Sequence, residues 1–215
     1  MLKKIFIGLL VFAGLIILVG TALFIWARGS APKTDKEFLS QLKGEIVFTR
    51  RNDEGISDIW KVSANGTEEM LLYHNDSNPF KTDSRNPLWS ANREKIYFIS
   101  FDKNKEKQIY EMDTDGKNVR LAENPDRIPS EVIQRSGEAG IKEIKGDLFI
   151  VENGQEKLIY DAKYDGKFNT GVSHASWNPD KKYLIFIDNR YTILIANTKG
   201  RITKLADGEA FDWKY

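Results

Sequence analysis

The sequence predicts an all-β fold: a small β-propeller of four four-stranded blades, closed by its own C-terminal strand and preceded by one transmembrane helix. Three observations lead there. A phrase of strand, glycine-containing turn and strand returns four times along the 215 residues. The runs before these phrases are rich in β-branched and aromatic residues, which favours strand over helix. Residues 5–26 form one uncharged apolar run, roughly 33 Å long as a helix against a hydrocarbon core of about 30 Å.

The apolar run comes first along the chain. Lys3 and Lys4 precede it and Arg28 follows. A cleaved signal peptide has an apolar core of about 7–15 residues and ends at small residues. Here Leu23-Phe24-Ile25-Trp26 continues past Gly20-Thr21-Ala22, so residues 1–27 are expected to remain as an anchor, with Trp26 at the interface. The short basic tail places the N-terminus in the cytoplasm and everything after Arg28 on the extracytoplasmic side of the cell membrane. The protein is then single-pass, meeting the membrane through residues 5–26. Residues 28–43 contain Gly29 and Pro32 and read as a linker. Within it, Glu37 to Lys43 is expected to add one or two helical turns with Phe38 and Leu42 on one face.

Residues 44–215 carry the repeats. The phrases are Asp58-Ile59-Trp60-Lys61-Val62 to Leu71-Leu72, Gln108-Ile109-Tyr110-Glu111-Met112 to Leu121, Asp147-Leu148-Phe149-Ile150-Val151 to Leu158-Ile159, and Tyr191-Thr192-Ile193-Leu194-Ile195 to Leu205. Their turns hold Asn65-Gly66, Asp115-Gly116, Asn153-Gly154 and Lys199-Gly200, because a tight hairpin needs a residue that accepts positive φ. Ile46-Val47-Phe48, Ile96-Tyr97-Phe98 and Leu184-Ile185-Phe186 precede three of them. These runs are too apolar for half-exposed strands and suit burial on both faces. A further strand lies upstream at Leu88-Trp89-Ser90 and at His174-Ala175-Ser176-Trp177. The third unit is degenerate: its first two strands are expected over residues 131–136 and 141–145, without the Trp. Ile59, Ile109, Leu148 and Ile193 are 50, 39 and 45 residues apart, the period of a propeller blade. The first unit lacks its opening strand, and Phe211-Asp212-Trp213 at the end of the sequence has no unit after it. Joined, they make the fourth blade, and closure removes exposed sheet edges. The competing arrangement is an open stack that closes by dimerisation.

Leu88-Trp89-Ser90-Ala91-Asn92-Arg93-Glu94-Lys95-Ile96-Tyr97-Phe98 and Gln108-Ile109-Tyr110-Glu111-Met112-Asp113-Thr114-Asp115-Gly116 resemble the TolB-type, WD-repeat-like propeller repeat. That pattern reads roughly P-x-W-S-P-D-G-K-x-I-x-F, then I-Y-x-M-D-x-D-G. Ser176-Trp177-Asn178-Pro179-Asp180-Lys181-Lys182-Tyr183-Leu184-Ile185-Phe186 is a second close copy; two others are weaker. The resemblance covers most of 44–215. It implies a propeller that acts as a binding platform in the bacterial envelope, or one attached to a hydrolase.

Composition narrows the chemistry. The absence of Cys excludes disulfides, zinc–thiolate sites, iron–sulfur clusters and Cys nucleophiles. Two His residues and a formal charge of +1 favour neither a His-rich metal site nor nucleic acid. There is no G-x-S-x-G, HExxH or phosphate-cradling glycine loop. Asp113-Thr114-Asp115-Gly116 lacks the distal Glu of a calcium loop and reads as a hairpin turn. The sequence therefore assigns no catalytic residue, metal ligand or cofactor.

Trp89, Trp177 and Trp213 recur at equivalent repeat positions, which argues for packing between blades. In this strand order the glycine turns share one end of the sheets, and the longer connections share the other. The candidate binding face at that second end holds His74, Phe80, Asp83, Arg85, Tyr164, Lys167, Phe168, His174 and Arg190. The reading is a membrane-anchored binding or scaffold propeller that docks an envelope protein or a glycan. One alternative is a hydrolase or lyase with its site at the channel mouth. Another is a structural subunit of a larger envelope assembly.

Overall fold

Antiparallel strands account for most of the described chain. The computed structural model describes residues 32–74, 84–102, 104, 106–129, 139–162, 171–188 and 190–215. A short helix α1 (Lys36–Leu39) is followed by β1 (Glu45–Arg51), β2 (Ser57–Ser63) and β3 (Met70–Tyr73). Next come β4 (Arg85–Trp89), β5 (Lys95–Phe101), β6 (Lys107–Asp113) and β7 (Arg120–Leu121). The third group is β8 (Ile141–Ile144), β9 (Asp147–Glu152) and β10 (Gln155–Tyr160). The last strands are β11 (His174–Trp177), β12 (Tyr183–Ile187), β13 (Thr192–Asn197), β14 (Ile202–Asp207) and β15 (Phe211–Lys214).

They form four antiparallel sheets, an arrangement compatible with a small propeller. The sheet orders are β15-β1-β2-β3, β4-β5-β6-β7, β8-β9-β10 and β11-β12-β13-β14. The strand expected over residues 131–136 lies outside the described residues, so the third sheet has three described strands. Among the described strands, the first and last pair with each other, Ile46 opposite Trp213 and Phe48 opposite Phe211. The apolar run at 5–26 also lies outside the described residues; among those described, no helix is long and apolar enough to cross a membrane.

Strand periodicity explains how the sheets pack. Successive side chains point to opposite faces. On β1, Ile46 and Phe48 join a core with the fourth sheet, and Val47 joins a core with the second. On β12, Ile185 and Ile187 face the first sheet's core while Leu184 and Phe186 face the third's. These strands are apolar throughout because both of their faces are covered.

Residues 33–44 depart from the linker expected at 28–43. From Lys33 the chain belongs to the same compact unit as the sheets. Asp35 caps α1 by accepting from the Phe38 N–H at 3.0 Å, and Phe38, Leu39 and Leu42 enter the core between the first and fourth sheets. The Lys204 N–H donates to the Lys33 carbonyl at 3.4 Å. The Asp35 N–H donates to Thr203 Oγ1 at 2.7 Å, and the Trp213 indole N–H to the Lys43 carbonyl at 3.0 Å. Gly29 and Pro32, just before the segment, made it look like part of a linker, but its apolar side chains have partners far along the chain.

Candidate binding surface at the loop end

Each sheet carries a hairpin at one end that turns through a glycine, between β2 and β3, β6 and β7, β9 and β10, and β13 and β14. Three share one geometry. In the first, the Ser63 N–H donates to the Thr67 carbonyl and the Gly66 N–H to the Ser63 carbonyl; the same pair recurs at 113–117 and 197–201. The fourth, Asn153-Gly154, is a two-residue loop with both φ positive, 51° and 77°, as its tight turn requires. The opposite end of the sheets collects the second-to-third-strand turns and the connections between sheets. Arg85, His174 and Phe211 open β4, β11 and β15 at this end.

An Asx residue builds the second-to-third-strand turn in three sheets. Asn52 Oδ1 accepts from the N–H groups of Glu54 and Ile56, both at 3.0 Å. Asp102 Oδ1 accepts from Asn104 at 2.8 Å and Glu106 at 2.9 Å. Asp188 Oδ1 accepts from Arg190 at 2.9 Å and Thr192 at 3.1 Å. The side-chain oxygen replaces a backbone carbonyl and holds the loop open to side chains. These three residues were not singled out from sequence, although each directly follows an apolar strand.

The structure pairs each described residue of the predicted face with its own neighbour. His74 Nδ1 lies 2.7 Å from Oδ1 of the buried Asp58. Arg190 donates from Nε and Nη2 to Asp188 Oδ2 at 2.8 and 2.5 Å, and Asp188 is 1% exposed. Burial acts to lower the Arg190 pKa, but the Asp188 carboxylate outweighs it and raises it. The adjacent Tyr160 hydroxyl donates to Asp188 at 3.4 Å; burial first, then this carboxylate, pushes its pKa up. The His174 ring meets Phe211 edge-on at 4.5 Å. Arg85 lies 5.8 Å from the Phe101 ring, and its buried Nε has no hydrogen-bond partner. A bulge follows it in β4, where Asn86 has a φ of 55° and its N–H donates to Thr49 Oγ1 at 3.2 Å. Phe80, Asp83, Tyr164, Lys167 and Phe168 lie outside the described residues.

The repeated tryptophans sit at the other ends of their strands. The Trp89 indole donates to the Asp212 carbonyl at 3.2 Å and carries Lys214 Nζ 3.7 Å above its ring. The Trp177 indole donates to the Ala139 carbonyl at 3.2 Å. Asp212 accepts from the Trp89 N–H at 2.8 Å and from Arg127 at 3.0 Å. Burial nevertheless holds its carboxyl above the ordinary range.

A cleft of about 150 Å³ opens at the loop end where the first and fourth sheets meet. Arg190 of the candidate face lines the cleft together with Arg50, Arg51, Tyr191 and Glu209. Among the described residues, no group of three His, Asp or Glu is placed to hold a metal ion.

No protein-family model and no curated protein matches the chain. Solved structures similar to it include TolB from Acinetobacter baumannii, 16% identical with a TM-score of 0.31, covering 75% of this chain and 41% of that one. The putative TolB from Agrobacterium tumefaciens is 11% identical with a TM-score of 0.31, covering 86% and 58%. A Mycobacterium tuberculosis puromycin-hydrolyzing peptidase is 15% identical with a TM-score of 0.30, covering 76% and 27%. The chain thus spans less than two thirds of each of these proteins. The class is defined by the chain's own four sheets: an all-β repeat protein of propeller-compatible architecture.

Proposed function

We propose that the protein is a membrane-anchored, extracytoplasmic docking module, a closed four-bladed propeller whose loop end receives a protein or glycan of the cell envelope. The observation that carries this reading is the separation of the two ends. Residues 33–44 pack beside the glycine turns, where Leu39 lies against Gly66 and Arg201 bonds Asp35. The loops, the His74–Asp58 contact and the ion pairs of Arg190 and Arg51 gather at the opposite end. The apolar run at 5–26 supports the anchor, and the pairing of β15 with β1 supports closure. The test is a crosslinking pull-down from intact cells with the full chain as bait. A specific envelope partner, lost when Arg190 is changed to Glu, is expected. Recovery of nothing above control, together with glycan turnover by the purified chain, overturns the reading.

One observation favours a second reading, a hydrolase or lyase. His74 held by a buried carboxylate at 2.7 Å has the geometry of an oriented general base. Glycan cleavage that disappears in His74→Gln while folding is retained would establish that reading instead.

A further inference from the structure

The cleft between the first and fourth sheets has about 150 Å³ of room, well above the roughly 10–15 Å³ that one water needs. Its backbone wall is pinned. The Gly208 N–H donates to the Tyr191 carbonyl and the Glu209 N–H to the Thr49 carbonyl, both at 2.7 Å. A Cβ on Gly208 would sit 2.6 Å from the Phe48 ring and 2.8 Å from the Thr49 carbonyl oxygen. Glycine therefore permits this close approach.

Two independent features single the cleft out. The first is Tyr191. Its φ is 56°, in the left-handed region, and it is 59% exposed. The matching position in the first sheet's turn is Gly55, φ 78°, which bears that conformation without steric cost. Tyr191 thus accepts local strain, and burial of its ring does not offset it. Seven other non-glycine residues among those described also have a positive φ, but Tyr191 is the aromatic one, and its ring is displayed at the cleft.

The second feature is charge. Arg50 is bidentate with Glu69 at 2.7 and 2.9 Å. Arg51 meets Glu209 at 2.6 Å, Arg190 meets Asp188, and Asp207 meets Lys204 at 2.6 Å. The exposed wall is mostly apolar, and each cation beside it already faces an acid. A charged ligand would have to break such a pair to gain an ionic partner. A neutral ligand with hydroxyls keeps the pairs and uses their remaining hydrogen-bonding capacity.

We propose that this cleft is a sugar subsite for an uncharged pyranose ring, with a C–H face against Tyr191 and its hydroxyls bonded by the arginine–carboxylate pairs. The proposal deepens the docking reading, on which it rests only for its placement at the loop end.

The test uses the full chain in a sugar-free zwitterionic detergent and saturation-transfer NMR. The probes are neutral gluco-oligomers and N-acetylglucosamine oligomers, with a uronic acid oligomer for comparison. Saturable transfer to a neutral oligomer is expected. Tyr191→Phe keeps it. Tyr191→Gly weakens it at least about fivefold, with an unchanged or higher Tm because glycine relieves the left-handed strain. The proposal is overturned if no neutral probe binds up to about 10 mM, if the uronate binds more tightly, or if Tyr191→Gly binds like the parent. Sugar binding without pull-down of an envelope partner would count against the docking reading alone. A recovered partner without sugar binding would count against the subsite alone.

Discussion

Lys181 and Arg93 hold φ values of 59° and 64° at matching places in the turns after β11 and β4. Neither side chain is buried, so little offsets a left-handed conformation that costs about 1–2 kcal/mol. Lys181→Gly is expected to stabilise the fold by about 0.5–1 kcal/mol after glycine's extra unfolded-state entropy is counted. Thermal melting should read this as a rise of about 1–4 °C, and a fall in Tm would reject it. The neighbouring Asp180 sets a pH dependence. Burial pushes its carboxyl up, but bonds from Tyr215, Lys182 and Asn178 outweigh this and hold it at about 2, below the ordinary 3.8. The Tyr215 hydroxyl moves the other way, to about 12, through burial and the same carboxylate. Because the folded pKa of Asp180 is the lower one, its contribution is present above about 3.8 and is lost as pH falls toward about 2. Asp212 has the opposite sign: burial raises its pKa, so its contribution is fully present at low pH and fades as pH rises through the folded value. Asp180→Asn should flatten the acid limb of a Tm–pH curve, and Asp212→Asn should steepen it. An unchanged limb in both variants would remove these carboxylates from the account.

β15 is the element on which the first sheet depends. It covers the edge of β1, and Phe211 and Trp213 are 7% and 8% exposed in the core shared with the fourth sheet. Truncation after Ala210 strips that edge and opens the core, so the chain should lose its cooperative unfolding transition. A truncated chain that melts as sharply as the full one would reject closure by β15. Trp213→Ala alone should cost about 3–5 kcal/mol by urea denaturation. Much of this element level was legible in the sequence. The β-branched runs, the glycine turns and the orphan Phe211-Asp212-Trp213 located strands in all four sheets, because strand propensity and turn chemistry act over a few residues. The site was less legible. The His74 partner Asp58 sits on another strand, and Tyr191 revealed its left-handed φ only beside Gly55 in the matching turn.

For the whole molecule, the segment 33–44 joins parts of the chain that its composition does not connect. Asp35 and Thr203 are 168 residues apart and share a hydrogen bond. Phe38 and Leu39 are each 2% exposed between the first and fourth sheets. Phe38→Ala should cost about 3–5 kcal/mol. Arg201→Ala should cost far less than Phe38→Ala, since the Arg201–Asp35 pair is 44% and 31% exposed and screened by water. If the arginine variant proved the more damaging, the segment would be held by charge rather than burial. Because β1 pairs with β15, the first sheet cannot be completed until β15 is available, a long-range pairing that slows folding.

The sequence by itself determined the repeat, the strand and turn chemistry, and the strands that had to be buried on both faces. Those properties depend on side-chain alternation, β-branching and the φ freedom of glycine, all local quantities. Tertiary structure decided that residues 33–44 are packed, that Asp58 holds His74, and that Tyr191 stands exposed beside a wall of paired charges. These outcomes depend on which distant residues share a sheet face or a sheet end, and nothing within a few positions of any one of them specifies that.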